Sequence, residues 1–178
     1  MVNLSVLLYD RCVKKQSAQP IIKMTHQRHQ GYANTPWGIV LIEYKDSTIY
    51  QFEFTTKRAV KIDSSCQAVC DALISEPNTF HLEPEGTAFQ RSVWAALLKI
   101  SRGTLCSYLD VAKMIGKPQS VRAVANAIGA NPICVFIPCH RVIKSDGTLG
   151  GFSSGISLKK KLLLEEGINP PSEGPSYE

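Results

Sequence analysis

Three neighbouring side chains, Cys139, His140 and Arg141, carry the most reactive chemistry of this sequence, within the run IPCHRV. A cysteine is a strong nucleophile only as its thiolate, and its ordinary pKa of about 8.5 leaves little thiolate at neutral pH. A nearby imidazole that accepts the proton makes the thiol reactive. Adjacent side chains rarely point the same way, so His140 would reach Cys139 across a bend or through a water molecule. The pattern predicts either a nucleophile with its base or a buried thiol beside a surface histidine.

A catalytic histidine also needs an acceptor that orients its ring. The run KKKLLLEEG offers two such acids on the last predicted helix, Glu165 and Glu166. We interpret Arg141 as a structural residue that connects this loop to neighbouring carbonyls or to a carboxylate.

The remaining cysteines indicate core packing rather than metal binding. None of the six cysteines forms a CxxC pair, and their spacing resembles no zinc ribbon. Cys66 and Cys70 share the apolar face of a predicted helix, so we interpret them as core thiols rather than as metal or redox ligands. Cys12, His26 and His29 are too scattered to form a convincing site. We therefore predict no metal and no cofactor.

Composition and charge narrow the class of protein. The chain has 178 residues, 44% of them hydrophobic, and no run approaches the ~18–20 apolar residues of a membrane span. The N-terminal charges follow the apolar run, the reverse of a secretory signal, so we expect a soluble cytoplasmic protein. Residues 86–160 carry ten Lys and Arg against two acids, a net charge of +8, whereas residues 1–85 sum to zero. Such a positive field attracts polyanions.

The elements that must position these side chains follow from periodicity and turn signals. Two β-rich runs around Lys45-Asp46-Ser47 predict a hairpin, and residues 64–75 predict a helix. After Gly86 the chain is predicted to be helical, and two short helices joined by Gly-Lys-Pro indicate a helix-turn-helix. The run ICVFIP before the cysteine is predicted as a short strand or extended segment. The helix starts are placed at Thr87 with Gln90, at Ser107 with Asp110, at Ser120 and at Ser157, and the stops at Gly116, Pro118, Asn131 and Gly167.

Several ordered motifs together resemble the O6-alkylguanine-DNA alkyltransferases, the methylated-DNA–protein-cysteine methyltransferases. They are GTAFQRSVWAAL, SYLDVAKMIGKPQSVRAVANAIGANP, IPCHRV, SDGTLGGFSSG and KKKLLLEEG, and they cover residues 86–167 almost without gaps. The run NTPWG with its hairpin is similar to the N-terminal domain of that family. The resemblance implies an α/β (α+β) fold, in which a small ribonuclease-H-like sheet-and-helix domain packs on a mostly helical C-terminal domain with the helix-turn-helix and the active-site loop. We place the boundaries at 1–31 for an extension, 32–85 and 86–169 for the two domains, and 170–178 for a flexible tail.

The resemblance also implies the reaction and its residues. The alkyl group of O6-alkylguanine, chiefly O6-methylguanine with O4-methylthymine left open, passes irreversibly to Cys139 in one turnover. His140 is then the base acting through water, Glu166 its partner, and Asn131 the brace of the active-site turn, although Asn131 also suits an ordinary helix stop. Tyr108 is expected to donate to guanine N3, although its position also suits a core tyrosine. The pocket is expected to include Val142, Phe152, Ser153 and Ser154.

For the DNA contact, the resemblance implies minor-groove binding without strong sequence specificity. Arg122 matches the arginine that fills the space left by the flipped base, and the alternative is a phosphate-contacting or solvated arginine. Ser120, Ala123 and Ala125, near Arg122 in the sequence, are expected to contact DNA. Small residues of this kind allow the helix backbone to approach DNA closely but read few base edges. Lys113, Lys117, Lys144 and Arg102 are further candidates for phosphate contacts.

Departures from the family pattern and competing functions remain. Phe152 stands where relatives often have tyrosine, and Ser154 replaces a glycine or a large aromatic, which leaves the pocket size open. The zinc ligands that some members carry in the N-terminal domain are absent here.

A non-catalytic helix-turn-helix protein that binds DNA or senses lesions is the alternative function, and a cysteine hydrolase is a third. We expect a monomer whose partner is double-stranded DNA.

Overall fold

The structure is a computed structural model that describes residues 27–57 and 59–173, and most of the predicted extension therefore lies outside the described residues. The chain divides into two compact units, one up to Glu83 and one from Pro84 onwards, and each is described by itself. The division falls two residues before the boundary expected from sequence. No helix among the described residues combines the length and the apolar character that crossing a membrane requires.

The first unit is built on a four-stranded sheet. Strands β1 (His29–Thr35), β2 (Gly38–Lys45) and β3 (Thr48–Phe54) form an antiparallel meander, and β4 (His81–Leu82) pairs in parallel with β3. The hairpin predicted between β2 and β3 is confirmed. Strand β1 was not predicted, and it draws residues 29–31 out of the expected extension and into the sheet.

Helix α1 (Ser64–Ser75) packs on β1 and has the predicted bounds. Asp63 begins it, since one carboxylate oxygen accepts hydrogen bonds from the backbone N–H groups of Ser65 and Cys66, both at 2.9 Å. Cys66 and Cys70 are fully buried, and burial raises the pKa of each thiol to about 12. Both are therefore the inert core thiols that the apolar periodicity predicted.

One cluster in this unit has mixed potential metal ligands. His29, Asp63 and Cys66 bring a ring nitrogen, a carboxylate oxygen and a sulfur within 4.8 Å of one another. The Asp63 oxygen already caps α1 and also contacts the His29 ring at 3.2 Å. The contacts of Asp63 are therefore accounted for by the helix cap and by its hydrogen bond with His29.

The second unit contains the basic segment and is mostly helical. Its helices are α2 (Ala88–Leu97), α3 (Tyr108–Met114), α4 (Val121–Gly129) and α5 (Ile156–Glu165), and the short parallel strands β5 (Cys106–Ser107) and β6 (Val142–Ile143) join the start of α3 to the active-site loop. The predicted capping box of α2 is present, and Ser107, the predicted cap of α3, forms a second capping box with Asp110. The indole N–H of Trp94 donates to the carbonyl of Ala127 at 2.8 Å and holds α2 against α4 in the core.

Helices α3 and α4 form the predicted helix-turn-helix pair. Gly116 lies between them at φ +70°, a left-handed conformation that favours glycine. Ser120 precedes α4 as predicted, but its side chain makes no capping hydrogen bond, so α4 begins without the hydroxyl cap expected there.

Two expectations about the end of the chain are corrected. Helix α5 begins at Ile156 after Gly155 at φ +93°, because the glycine supplies the chain reversal, and Ser157 lies inside the helix instead of capping it. The start of the tail is attached: Leu149 N–H donates to the Ser172 carbonyl at 2.9 Å, and Lys160 pairs with Glu173 at 2.5 Å. A loose tail therefore does not describe residues 170–173.

Candidate active site

Asn131 organises the loop that carries the nucleophile. Its side-chain oxygen accepts from the Ile133 N–H at 3.0 Å, and its amide nitrogen donates to the Ile137 carbonyl at 2.9 Å and to the Cys139 sulfur at 3.1 Å. Asn131 is buried, so all three bonds form away from solvent. One side chain thus fixes both ends of the loop and contacts the reactive atom.

The run ICVFIP folds as a tight turn and not as the predicted strand or extended segment. Cys134 and Ile137 form an isolated bridge across it, and Val135 lies at φ +73°, an uncommon conformation for a β-branched residue. Asn131 overrides the strand preference of these residues, because satisfying its buried amide requires the chain to turn back.

Cys139 begins a one-turn 3-10 helix (Cys139–Arg141) and is only 4% exposed. A hydrogen bond from the Cys134 thiol is the largest influence that lowers the pKa of Cys139, and burial opposes it. The amide of Asn131 and the positive charge of Lys159 lower the pKa further. The net direction is downward, so this thiol is more readily ionised than an ordinary cysteine.

Behind the cysteine, Glu166 ties two basic residues together. Its carboxylate accepts from His140 Nε2 at 2.9 Å and from Arg141 Nη2 at 2.7 Å and Nε at 3.0 Å. Arg141 also donates to the Ile100 carbonyl at 2.6 Å, which confirms its predicted structural role. Of the two acids considered from the sequence, Glu166 makes the hydrogen bond with His140.

This arrangement sets the charge of Glu166 and the orientation of His140. Burial alone would raise the pKa of Glu166, but the hydrogen bonds from His140 and Arg141 outweigh it and lower that pKa to about 2. The carboxylate, ionised at neutral pH, holds the Nε2 edge of the ring, and Nδ1 of His140 is buried without a hydrogen-bond partner among the described residues. One ring nitrogen is therefore available for proton transfer.

A cavity of about 350 Å³ opens beside the nucleophile. Its walls come from α3, α4, the cysteine turn and the segment before α5. The lining residues are Tyr108, Ala125, Asn126, Ile128, Gly129, Cys139, Gly151, Phe152 and Ser153. A planar group of the size of a nucleobase fits a space of this volume.

Tyr108 is positioned by the cap of α3. Ser107 accepts from the Asp110 N–H at 3.1 Å and donates to the Asp110 carboxylate at 2.6 Å, which fixes the first helical turn that carries Tyr108. Gly150 lies at φ +67°, and a Cβ there would approach the tyrosine hydroxyl to 3.1 Å. Burial and the nearby Cys139 both raise the pKa of Tyr108, so its hydroxyl stays protonated and can donate.

The predicted pocket residues divide into two groups. Phe152 and Ser153 line the cavity, whereas Val142 is fully buried behind it and Ser154 is absent from its walls. The Val142 carbonyl accepts from the Lys159 ammonium at 2.6 Å, so one of its lone pairs is already used.

Lys159 is a site residue that the sequence analysis did not identify. It is fully buried, and its ammonium also donates to the Leu149 carbonyl at 2.5 Å. Burial lowers its pKa to about 8, while the proximity of Cys139 acts in the opposite direction. The helical spacing indicates that Lys159 faces the core, because it shares a face with Leu162, Leu163 and Glu166. The run KKK, by contrast, is typical of a solvated surface.

The exposed face of α4 carries the predicted DNA contacts. Arg122 and Ala123 are exposed, and Ala125 is half-buried in the cavity wall. No hydrogen bond or ion pair engages the Arg122 guanidinium within the described part of the chain. Asn126, one turn after Arg122, lines the cavity and was not anticipated.

Residues 88–168 match the family described as 6-O-methylguanine DNA methyltransferase, DNA binding domain. A methylated-DNA–protein-cysteine methyltransferase of Methanosarcina acetivorans is 37% identical over 150 residues, which cover 83% of this chain and 92% of that protein. The Escherichia coli bifunctional transcriptional activator/DNA repair enzyme Ada is 50% identical over 93 residues, 52% of this chain and 26% of that protein.

A crystal structure of Mycobacterium tuberculosis OGT in complex with DNA shares the fold, with a TM-score of 0.67 at 29% identity over 82% of this chain and 96% of that one. The matches to the first three curated relatives span only 26%, 49% and 54% of their lengths. The Methanosarcina acetivorans match extends over nearly the whole relative and includes both units. The predicted mixed α/β fold is confirmed, and the chain belongs to the family of methylated-DNA–protein-cysteine methyltransferases.

Proposed function

We propose that this protein repairs alkylated DNA by moving the alkyl group from O6 of guanine, chiefly O6-methylguanine, onto its own Cys139. The observation that carries the proposal is a buried thiol with a lowered pKa that borders a cavity of about 350 Å³ next to α4. The family relationship and the DNA complex of a relative support DNA as the partner.

In the proposed reaction, His140 accepts the Cys139 proton through a water molecule at Nδ1, and the Glu166 carboxylate stabilises the resulting imidazolium. The thiolate attacks the alkyl carbon, an S–C bond forms, and the C–O6 bond breaks with its electron pair left on guanine. Tyr108 donates a hydrogen bond to N3, where negative charge develops. A thioether is a poor leaving group, so each molecule acts once and needs no cofactor.

The lesion lies within the base stack, so the nucleotide must rotate out of the duplex to reach the cavity. The small residues of α4 allow close approach to the minor groove, and Arg122 fills the space that the base leaves. Ser120, Ala123 and Ala125 make sequence-independent contacts. Phe152 and Ser153 hold the flipped base, with Ser154 and the Val142 backbone behind them. The protein acts as a monomer in the cytoplasm.

The test uses duplex DNA with a labelled O6-methyl group and the full chain. We expect one equivalent of label per protein, no further turnover, and the added mass on the peptide that contains Cys139. Cys139→Ser should bind the same duplex without accepting label. Label on another residue, or continued turnover, would refute the proposal, and binding without any transfer by the unaltered chain would favour the non-catalytic alternative.

A further inference from the structure

Asn126 lines the cavity but has no part in the proposed reaction. It lies in the middle of α4, is exposed, and contributes to the cavity wall. Across residues 27–57 and 59–173, no group hydrogen-bonds to its side-chain amide. An asparagine inside a helix costs stability relative to alanine, because its side chain competes for backbone hydrogen bonds. This amide, which can both donate and accept, is therefore available to a ligand.

The depth of the cavity determines which end of a nucleotide faces Asn126. Cys139 and Ile128, which are 4% and 6% exposed, line the closed end, whereas the exposed Asn126 lines the mouth. The alkyl carbon on O6 must reach the Cys139 sulfur, and N9, which carries the deoxyribose, is on the other ring of the purine. With the O6 edge at the closed end, the sugar and its phosphates lie at the mouth, next to Asn126.

The position of Arg122 agrees with this orientation. Arg122 and Asn126 lie four residues apart on α4 and share its exposed face, about 6 Å apart along the helix axis. In the proposed function, Arg122 fills the place in the stack that the base leaves, and the base enters the cavity. Ala125 and Asn126 are the lining residues of α4 nearest to Arg122 in the chain, and only Asn126 has a polar side chain.

We propose that Asn126 is a specificity-determining residue that recognises the backbone of the flipped nucleotide, with its amide N–H donating to a phosphate oxygen. The bond forms with any DNA strand whose lesion has entered the cavity, whether or not the lesion was paired before. A free base has no phosphate and makes no such bond. This inference rests on the proposed function, and it adds a means of selecting alkylated DNA over alkylated bases in solution.

The experiment measures single-turnover transfer of labelled methyl from three substrates. They are the alkylated duplex, the same alkylated oligonucleotide as a single strand, and the free base O6-methylguanine. Asn126→Ala should slow transfer from both DNA substrates about five- to tenfold, because a hydrogen bond to a charged group is lost, and should leave the free-base rate unchanged. Alanine is the stronger helix former, so the variant should fold as the unaltered chain does.

A change of charge at the same position gives a second measurement. Asn126→Asp places a carboxylate against the phosphate, so it should slow both DNA substrates more than Asn126→Ala does, and the additional loss should shrink as the salt concentration rises. Asn169→Ala and Asn169→Asp are the matched controls. Asn169 is an exposed asparagine of the same unit that lies outside α4 and the cavity, so both changes should leave all three rates unaltered.

The three substrates separate the possible roles of Asn126. Equal slowing on all three would indicate a contact with the base itself and overturn the inference. Slowing on the duplex alone would indicate a role in flipping and would overturn it too, as would unchanged rates on both DNA substrates. If the unaltered chain accepts no label from any of the three, the proposed function is rejected, and this inference with it.

Discussion

At the scale of single residues, the site depends on groups that are buried together with their partners. Glu166 remains an anion in a buried position because His140, Arg141 and the backbone N–H of Gly103 all donate to it. Its side chain is only 9% exposed, so solvent screens these bonds little. The carboxylate therefore both orients the proposed base and contributes to stability.

The first prediction concerns the pH dependence of that contribution. The folded pKa of Glu166, about 2, lies below its ordinary value of 4.5, so the stabilisation is complete above pH 4.5 and is lost as the pH falls through 2. It amounts to on the order of 3 kcal/mol at neutral pH. Urea unfolding at pH 7 and pH 3 should show a smaller loss of stability in Glu166→Gln than in the unaltered chain. Glu165→Gln is the control and should lose as much free energy of unfolding between pH 7 and pH 3 as the unaltered chain. An equal loss in Glu166→Gln and Glu165→Gln would contradict the prediction.

The second prediction concerns the buried Lys159. Lys159→Met leaves the carbonyls of Val142 and Leu149 without their donor, and we expect a loss of about 2–4 kcal/mol in the free energy of unfolding. Lys160→Met removes a partly exposed charge from the same helix, and its pair with Glu173 should account for less than about 1 kcal/mol. Urea denaturation of both variants at pH 7 provides the measurement. Equal losses would mean that burial of the Lys159 ammonium has no special energetic role.

At the scale of elements, local signals near the helix starts determine where the site side chains lie. The capping boxes of α2 and α3 are short patterns whose hydrogen bonds connect residues three positions apart, so they are readable without knowledge of the fold. The α3 box matters for function because Tyr108 is the first residue of that helix.

The third prediction compares the two boxes. Ser107→Ala and Thr87→Ala each remove a cap, and each should cost about 1 kcal/mol in the free energy of unfolding. Only Ser107→Ala loosens the turn that carries Tyr108, so only this variant should slow single-turnover transfer from duplex DNA several-fold. Thermal unfolding and quench-flow transfer rates test both parts. A similar slowing in Thr87→Ala would indicate that general destabilisation, and not the position of Tyr108, limits the reaction.

At the scale of the whole molecule, some of the basic side chains are buried or paired within the fold and are not available to a partner. Of the ten Lys and Arg in residues 86–160, Lys159 is buried and Arg141 is bound to Glu166. Arg122 lies on the exposed face of α4 and is accessible to a partner. The charge pattern alone does not distinguish these cases, because it counts residues and not their surroundings.

The fourth prediction tests the role proposed for Arg122. Arg122→Ala should slow transfer from alkylated duplex by about tenfold or more, because the flipped-out state loses the group that fills the stack. Transfer from the free base O6-methylguanine should be unchanged, since no flipping is needed there. Lys99→Ala removes an equal charge from just beyond the end of α2 and is the control. An equal loss on duplex and free base in Arg122→Ala would reject the flipping role.

The amino-acid sequence by itself determined the family, the hairpin of β2 and β3, and the helix starts at Thr87 and Ser107. It also identified Cys139 and Glu166 as members of one candidate site. Each of these depends on residues close in the chain or on motifs in a specific order. Sequence reasoning failed for β1, for the turn in ICVFIP and for the start of α5. In each case a distant partner, a buried amide or a glycine outweighed local preference.

Only the tertiary structure decided which polar groups are buried together. It turned Lys159 from a member of a surface-like run into a buried ammonium held by two carbonyls, and it brought the Asn131 amide to the sulfur of Cys139. The physical reason is that the cost of burying a polar group depends on the partners that the folded chain supplies. Those partners come from segments whose separation along the chain contains no information about their distance in space.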